Sequence, residues 1–252
     1  MGKIITVTDL CKTYQQKGNS NEVLRNVSFE MEEGEFVSVM GPSGSGKSTL
    51  LYTVSGMDDL TSGSVCFNGR ELSNMKKKEI SELRLLEMGF IFQQMYMMKK
   101  LCVLDNIILP GYQAKRDRAQ VNKRADELME SLGIKDLANR QISEVSGGQL
   151  QRACICRALI NEPKVVFADE PTGALNSKAA GEVMKELRKV NLSGTGIMMV
   201  THSVRVAAQS DRVIYLVDGN IMGEIILGRM QSDEEIATRD QKLNSWLMEQ
   251  GW

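Results

Sequence analysis

The feature that most constrains the fold is a glycine-rich segment, Gly41-Pro-Ser-Gly-Ser-Gly-Lys-Ser48, between apolar runs at Phe36–Met40 and Thr49–Ser55. The first run predicts a buried strand and the second a helix. In this position, glycines let backbone N–H groups surround phosphate oxygens, and the helix N-terminus adds partial positive charge. Lys47 would reach the β- and γ-phosphates, and the Ser48 hydroxyl would hold Mg²⁺. The alternative, a turn that binds nothing, would match this pattern only by chance. The predicted nucleotide-binding residues are Gly41, Pro42, Ser43, Gly44, Ser45, Gly46, Lys47, Ser48 and Thr49.

Two adjacent carboxylates, Asp169 and Glu170, follow another buried apolar run at Val165–Ala168. Ligands of open α/β sheets bind at the carboxyl ends of the strands, where these residues would lie. Asp169 suits a role on Mg²⁺, and Glu170 is placed to orient or deprotonate an attacking water, because phosphoryl transfer needs positioning and charge neutralisation. The alternative is a pair of acids that only caps a strand, and the phosphate loop upstream favours the catalytic interpretation.

A third segment, Val145-Ser-Gly-Gly-Gln-Leu-Gln-Arg152, begins a helical run that extends to Ile160. Ser146 is a good N-cap, and the N–H groups behind it would form a second anion site. For a lone motif of this kind, a capped helix without a ligand is the alternative. Two phosphate-type sites far apart in one chain are more than a single bound nucleotide accounts for.

The order of elements predicts an α/β fold. The first sixty residues are β-rich, and a further strand at residues 65–67 then enters a tight turn at Asn68-Gly69. The helical period dominates from about residue 76 to 160, and strand-like runs then alternate with a helix near Ala179–Val190, a pattern typical of a parallel sheet. We predict one domain over residues 1–252, with a mainly parallel sheet, a small N-terminal antiparallel sheet and an inserted helical lobe.

Composition narrows the partners and the compartment. The chain has 31 Lys and Arg against 32 Asp and Glu, so no overall field indicates a nucleic acid or an anionic lipid surface. The five cysteines are scattered without metal-type spacing, which is typical of reduced thiols in the cytosol. No apolar run approaches the roughly 18 to 20 residues that span a bilayer. We therefore expect a soluble protein that stays where it is made.

These residues resemble the ATP-binding cassette subunits of transporters, whose signature is Ser-Gly-Gly-Gln ahead of a strand-borne Asp-Glu pair. The resemblance covers nearly the whole chain and implies a P-loop NTPase core that binds ATP and Mg²⁺ and hydrolyses ATP to ADP and phosphate. In that family two cassettes dimerise head to tail, so the signature of one copy would complete the site at Lys47 of a second copy. The signature residues are Ser146, Gly147, Gly148 and Gln149.

The resemblance also implies roles for three residues outside these segments. Tyr14 matches the aromatic residue that stacks on adenine, with a half-buried strand-end ring as the alternative. Gln93, with Gln94 as a neighbouring register, is similar to the glutamine that contacts Mg²⁺ and water. His202, the only histidine, matches the residue that contacts the γ-phosphate. The implied catalytic residues are Glu170, His202 and Gln93, and the implied Mg²⁺ ligands are Ser48, Gln93 and Asp169.

One segment departs from the family pattern. Residues Pro171 to Asn176 resemble the loop that crosses the dimer interface, with Ala174, Leu175 and Asn176 at the contact, but the family usually has Asp in place of Asn176. Asn keeps hydrogen-bonding capacity and loses a charge. We therefore predict retained ATP binding with altered turnover or coupling.

Within the family, three segments look most like the bacterial macrolide-export, lipoprotein-release and cell-division group, close to the bacitracin-type exporters of antimicrobial peptides. The segments are Gly89–Gln93, Asn106–Pro110 and Ala168–Leu175. Such cassettes drive a separate integral-membrane permease, which implies a cytoplasmic chain held on the inner face of the cell membrane. The export or force-transmitting role is implied by this resemblance alone.

Two further segments have two interpretations each. Met95, Met97 and Met98 lie where the family's cassette receives a helix of its permease, and core filling is an equal alternative. Residues 232–250 predict an amphipathic helix, opened by a capping-box pattern at Ser232, that packs on its own domain or contacts a partner.

Two other functions stay open at this point. A non-transport cassette ATPase would act on nucleic acid or ribosomes, but repair types carry a long coiled-coil insertion and translation types usually join two cassettes. A slow-turnover, nucleotide-dependent regulatory module is favoured by Asn176, whereas Glu170 and His202 favour an enzyme.

Overall fold

In the computed structural model, residues 2–16 and 19–252 are described, and they form ten strands and eight α-helices. The strands are β1 (Lys3–Gln16), β2 (Asn19–Glu32), β3 (Phe36–Met40), β4 (Ser62–Phe67), β5 (Arg70–Glu71), β6 (Met88–Ile91), β7 (Val165–Asp169), β8 (Gly196–Val200), β9 (Arg212–Val217) and β10 (Asn220–Ile226). The helices are α1 (Lys47–Val54), α2 (Lys77–Glu87), α3 (Val103–Gln113), α4 (Arg118–Ser131), α5 (Gly147–Leu159), α6 (Ser177–Leu192), α7 (Val204–Ala207) and α8 (Ile236–Glu249). Within the described ranges, none of the helices combines the length and the apolar character that crossing a bilayer requires.

The chain divides into two compact units. Unit 1 comprises Met1–Ile80 and Gly196–Trp252, and unit 2 comprises Ser81–Thr195. In unit 1, four strands form an antiparallel sheet in the order β2-β1-β4-β5. The turn between β4 and β5 has φ 48° at Asn68 and 73° at Gly69, and a two-residue hairpin of this kind favours an Asn-Gly pair because both positions are left-handed.

The second sheet of unit 1 has a parallel centre. β3 pairs in parallel with β8 and β9, and β10 pairs antiparallel to β9. All residues of β3 and β8 are buried, which is typical of strands covered on both faces and explains their near-continuous apolar sequences. The carboxyl end of β3 leads directly into the glycine-rich segment.

Unit 2 contains the parallel pair β6 and β7 together with helices α3 to α6. Strand β6 lies inside the stretch that the sequence indicated as helical, because a four-residue apolar run carries too little periodicity to distinguish a strand from a helix. Helix α3 lies within this stretch and encloses Pro110, which removes a backbone donor from the helix.

The C-terminal helix α8 packs on unit 1. Leu243 and Leu247 are fully buried in a cluster with Met40 and Tyr215. The capping box expected at Ser232 is absent: Ser232 is extended before a 3₁₀ turn at Asp233–Glu235 and makes no side-chain cap. The extra turn displaces the start of the helix, and the Glu235 side chain instead accepts a hydrogen bond from the backbone of Gln231.

Candidate functional site

The glycine-rich segment of unit 1, residues 41–48, is called the phosphate loop below, and its glycines shape it. A Cβ atom at Gly41 would lie 2.0 Å from the backbone oxygen of Leu216, so the loop passes too close to β9 for a side chain. Gly46 is the N-cap of α1 with φ 100°, and a Cβ atom there would lie 2.9 Å from the backbone oxygen of Val23. Both positions therefore require glycine.

The Lys47 side chain is folded over the phosphate loop. Its Nζ donates to the backbone oxygens of Gly41 at 2.9 Å and Pro42 at 2.7 Å. The Ser45 hydroxyl is buried and has no hydrogen-bond partner in the part of the chain that the structure describes. A cation, an unsatisfied hydroxyl and the N-terminus of α1 suit phosphate oxygens. The loop therefore fits the phosphates of a nucleotide.

His202 follows strand β8 at the same edge of the sheet in unit 1. The parallel strands β3 and β8 end together, because Thr201 N donates to Val39 O at 3.2 Å. His202 is exposed, and the next residue, Ser203, is the N-cap of α7. The carboxyl ends of neighbouring parallel strands thus place His202 and the phosphate loop along one edge.

Tyr14 belongs to a polar cluster that the sequence analysis did not identify. Its hydroxyl donates to Asp58 Oδ2 at 2.5 Å, and Lys12 Nζ donates to Asp58 Oδ1 at 2.7 Å. Lys12 Nζ also lies 4.6 Å from the centre of the ring of Tyr14, a residue that is 38% exposed. The sequence could have indicated Lys12 as a neighbour of Tyr14, because side chains two positions apart lie on the same face of a strand.

The charges of this cluster suit its hydrogen bonds. Burial raises the pKa of Tyr14, and the hydrogen bond to Asp58 raises it further. Burial alone would raise the pKa of Asp58, but the hydrogen bonds from Lys12 and Tyr14 outweigh it and the pKa is lowered. At neutral pH the phenol therefore keeps its proton to donate, and the carboxylate stays charged to accept it.

In unit 2, strands β6 and β7 bring Gln93 to the carboxylates. The strands pair Ile91 with Ala168, and Asp169 is the buried last residue of β7. Glu170 has φ 46°, a left-handed conformation that turns the chain away from the strand end. Gln93 Nε2 donates to Glu170 Oε2 at 3.1 Å. The contact is made by Gln93, which favours this register over Gln94.

The predicted signature and the predicted interface loop also lie together in unit 2. Ser146 caps α5 through a capping box with Gln149, in which Ser146 N donates to Gln149 Oε1 at 2.8 Å. Asn176 caps α6, and its Oδ1 accepts from Ala179 N at 3.0 Å. Both helix starts line a cavity of about 340 Å³. The lining residues are Ser146, Gly147, Gly148, Gln149, Arg152, Ala174, Leu175, Asn176, Ala179 and Glu182.

The residues predicted from the sequence are thus divided between the units. Unit 1 holds Tyr14, the phosphate loop, Thr49 and His202, whereas unit 2 holds the others. The three predicted Mg²⁺ ligands are divided too, with Ser48 in unit 1 and both Gln93 and Asp169 in unit 2. All three offer oxygen atoms, which are the ligands that Mg²⁺ prefers.

The chain is similar to ATP-binding cassettes in sequence. A family model described as ABC transporter matches residues 24–173. The bacitracin export ATP-binding protein BceA of Halalkalibacterium halodurans is 41% identical over 227 residues, which are 89% of each chain.

The fold is also that of solved cassettes. MJ0796, an ATP-binding cassette solved as a dimer in a post-hydrolysis state bound to ADP and Pi, has a TM-score of 0.84 at 36% identity and covers 90% of this chain and 100% of its own. The protein cbiO1 of Clostridium perfringens, part of the ABC transporter complex cbiONQ, has a TM-score of 0.81 at 25% identity, with 98% and 96% covered. The predicted α/β fold with a P-loop NTPase core is confirmed. Since the family model matches more than half of its residues, this chain belongs to the ABC transporter family, as an ATP-binding cassette ATPase.

Proposed function

We propose that this ATPase drives a separate integral-membrane permease in export or force transmission. The favoured cargo class is an antimicrobial peptide of the bacitracin type, and the related alternatives are macrolide or lipoprotein handling. The support is the identity of 41% to a bacitracin export ATP-binding protein, which extends over 89% of both chains. In this role the chain would lie in the cytoplasm, on the inner face of the cell membrane, through its contact with the permease.

Hydrolysis would use the residues predicted from the sequence, each in the role that the family resemblance implies. The phosphate loop and Lys47 bind the phosphates, Tyr14 stacks on adenine, and His202 contacts the γ-phosphate. Glu170 orients or deprotonates the attacking water. Bound Mg²⁺, held by Ser48, Gln93 and Asp169, would supply charge neutralisation.

We further propose that two copies share each nucleotide, with the signature of one copy completing the site at Lys47 of the other. The capped N-terminus of α5 offers N–H groups and partial positive charge to a phosphate. The loop at Ala174 to Asn176 lines the same cavity, which supports its place in the interface.

The observation that carries the hydrolytic role is the hydrogen bond of 3.1 Å between Gln93 and Glu170, directly after the strand that ends at Asp169. It holds the Glu170 carboxylate in one orientation at the strand end, as a water-positioning group requires. Replacing Glu170 with Gln should abolish steady-state ATP turnover, because the amide cannot take a proton, while ATP binding is retained and the dimer is favoured.

Phosphate release, nucleotide binding and sedimentation of the same samples measure these three effects. Glu127→Gln is the matched control, since Glu127 lies on the exposed side of α4 and the substitution should leave turnover unchanged. Hydrolysis that persists in Glu170→Gln would assign the base to another residue. A wild-type chain that binds ATP without turnover would favour the regulatory module.

A further inference from the structure

One arginine of the signature helix α5 holds the segment that follows Gln93. The Nη2 atom of Arg157 donates to the backbone oxygen of Met95 at 2.8 Å. Its Nη1 atom donates to the backbone oxygen of Tyr96 at 3.0 Å and to the sulfur of Met97 at 3.4 Å. A single guanidinium thus fixes three consecutive residues of irregular backbone. Residues 95–98 are called the linking segment below.

A second residue of α5 supports the same contact. Cys154 Sγ donates to the backbone oxygen of Met95 at 3.6 Å. Cys154 and Arg157 are three positions apart and therefore lie on one face of the helix. Burial raises the pKa of Cys154 to about 11, so the thiol keeps the proton that it donates.

The other end of the linking segment is held by α3. The buried Asn106 accepts from Met98 N at 2.7 Å and donates to Met98 O at 3.2 Å. Tyr96 and Met98 are nevertheless 66% and 54% exposed. The backbone is fixed from inside while these two apolar side chains face outward, which excludes core filling as the role of Met98.

We propose that Arg157 is a positioning residue that makes α5 and the linking segment move as one body. Engagement of a nucleotide at Ser146 would then change how Tyr96 and Met98 are presented to the permease. Arginine suits this role, because its planar guanidinium binds two carbonyls at once, whereas a lysine ammonium on a flexible stem does not preserve that geometry. The inference rests on the proposed function, which supplies both the nucleotide at Ser146 and the permease.

Hydrogen–deuterium exchange on the full chain tests this link. The parent is the Glu170→Gln chain, which is expected to hold Mg-ATP. It is compared with the same chain that carries a second substitution, Arg157→Lys or Arg157→Gln. Arg116→Lys is the matched control, because Arg116 Nη2 donates to a backbone oxygen in the same unit, that of Asn161, at 3.0 Å.

In the parent and in the control, Mg-ATP should slow exchange both at residues 146–149 and in the linking segment. With Arg157→Lys, protection at 146–149 should stay and the response of the linking segment should be lost. Without nucleotide, amides of the linking segment should exchange about tenfold faster in Arg157→Lys than in the parent, which is the effect of losing one hydrogen bond of ordinary strength.

The outcomes separate this inference from the proposed function. The inference alone is overturned if the linking segment still responds to ATP as strongly in Arg157→Lys and Arg157→Gln as it does in the parent. A parent chain without ATP-dependent protection at residues 146–149 overturns the shared nucleotide site and the inference with it. Thermal midpoints identify a variant that fails to fold, and Arg157→Lys, which keeps the charge, then carries the test.

Discussion

At the scale of single residues, Tyr14 is held by its neighbours on both its polar end and its ring. Asp58 accepts from the hydroxyl, while the Lys12 ammonium lies over one ring face. Lys12 is in turn fixed by Asp58 and by the backbone oxygen of Asp59, at 2.7 and 2.5 Å. The cation is attracted electrostatically to one face of the ring, which stabilises the ring position and leaves the other face to stack on a base. Preorganising the ring in this way lowers the entropy lost when the base binds.

Replacing Asp58 with Asn should therefore weaken ATP binding more than chemistry. We expect the KM for ATP to rise about threefold to tenfold, the effect of one weakened charge-assisted hydrogen bond, with kcat little changed. Steady-state ATPase measurements check this. Asp59→Asn is the control, because Asp59 holds Lys12 through its backbone and its own side chain is largely exposed. An unchanged KM in Asp58→Asn would remove Asp58 from the positioning of Tyr14.

The same substitution has a pH dependence of known sign. The pKa of Asp58 is lowered in the folded chain, so its interactions stabilise the fold above the unfolded pKa, about 3.9, and are lost as the pH falls through the folded value. The stability difference between wild type and Asp58→Asn should be full at pH 7 and shrink in acid. Urea unfolding at pH 7 and at a pH below the folded pKa measures this stability difference. A difference of equal size at the two pH values would contradict the charge assigned to Asp58.

At the scale of elements, the sequence predicted those parts of the fold whose signal is local. The phosphate loop and the fully buried strands β3, β7 and β8 can be predicted from the sequence, because apolar runs and glycine patterns consist of consecutive residues. The links between elements were not readable. Lys12 to Asp58, Arg157 to the linking segment and Arg239 to the loops of unit 1 join residues far apart in the chain, and which side chains meet depends on how the elements pack.

Helix α8 owes its position to one such link. The buried Arg239 guanidinium donates to the backbone oxygens of Ala208, Leu227, Ser210 and Gly228 at 2.6 to 3.1 Å. Burial lowers the pKa of Arg239, although a guanidinium remains protonated at any physiological pH. The arginine and the two buried leucines of α8 together show that the helix completes the core of unit 1, which was one of its two expected roles.

Substitutions in α8 should therefore cost stability of the isolated chain. Replacing Arg239 with Met removes the donors to four carbonyls and should lower the free energy of unfolding by about 3 kcal/mol. Leu243→Ala should cost about 2 to 5 kcal/mol by opening a cavity. Met248→Ala is the control, since Met248 is exposed on the same helix. Urea unfolding of the three variants gives the comparison, and equal stabilities would contradict a contribution of α8 to the core of unit 1.

At the scale of the whole molecule, the single-domain organisation and the shared nucleotide site stay predictions. The predicted residues are divided between two units, and the family resemblance divides them again between two copies. In a shared site, the phosphate loop and Glu170 of one copy act on the same nucleotide as the signature of the other. When the two copies of a mixed dimer carry defects that fall on the same nucleotide, the other nucleotide keeps an intact site. Defects that fall on different nucleotides leave neither site intact.

Mixing two inactive variants tests the sharing directly. Lys47→Ala removes the phosphate-binding cation, and Gly147→Asp places a negative charge where the signature would meet a phosphate. A Cβ atom at Gly147 would lie 3.9 Å from Leu175 Cδ2, which is an ordinary contact distance. Each variant alone should be inactive. In a mixture, random pairing makes half of the dimers mixed, and each mixed dimer keeps one intact site of two, so about a quarter of the wild-type ATPase rate should return.

The mixture of Lys47→Ala with Glu170→Gln is the matched control and should stay inactive, because each mixed dimer then carries one defect in each site. The recovered rate should also rise with total protein concentration, since the intact site exists only in the dimer. A site completed within one chain gives no recovery in either mixture. Recovery in both mixtures would instead place Glu170 and Lys47 on different nucleotides, so the pair of mixtures determines which residues of each copy act together.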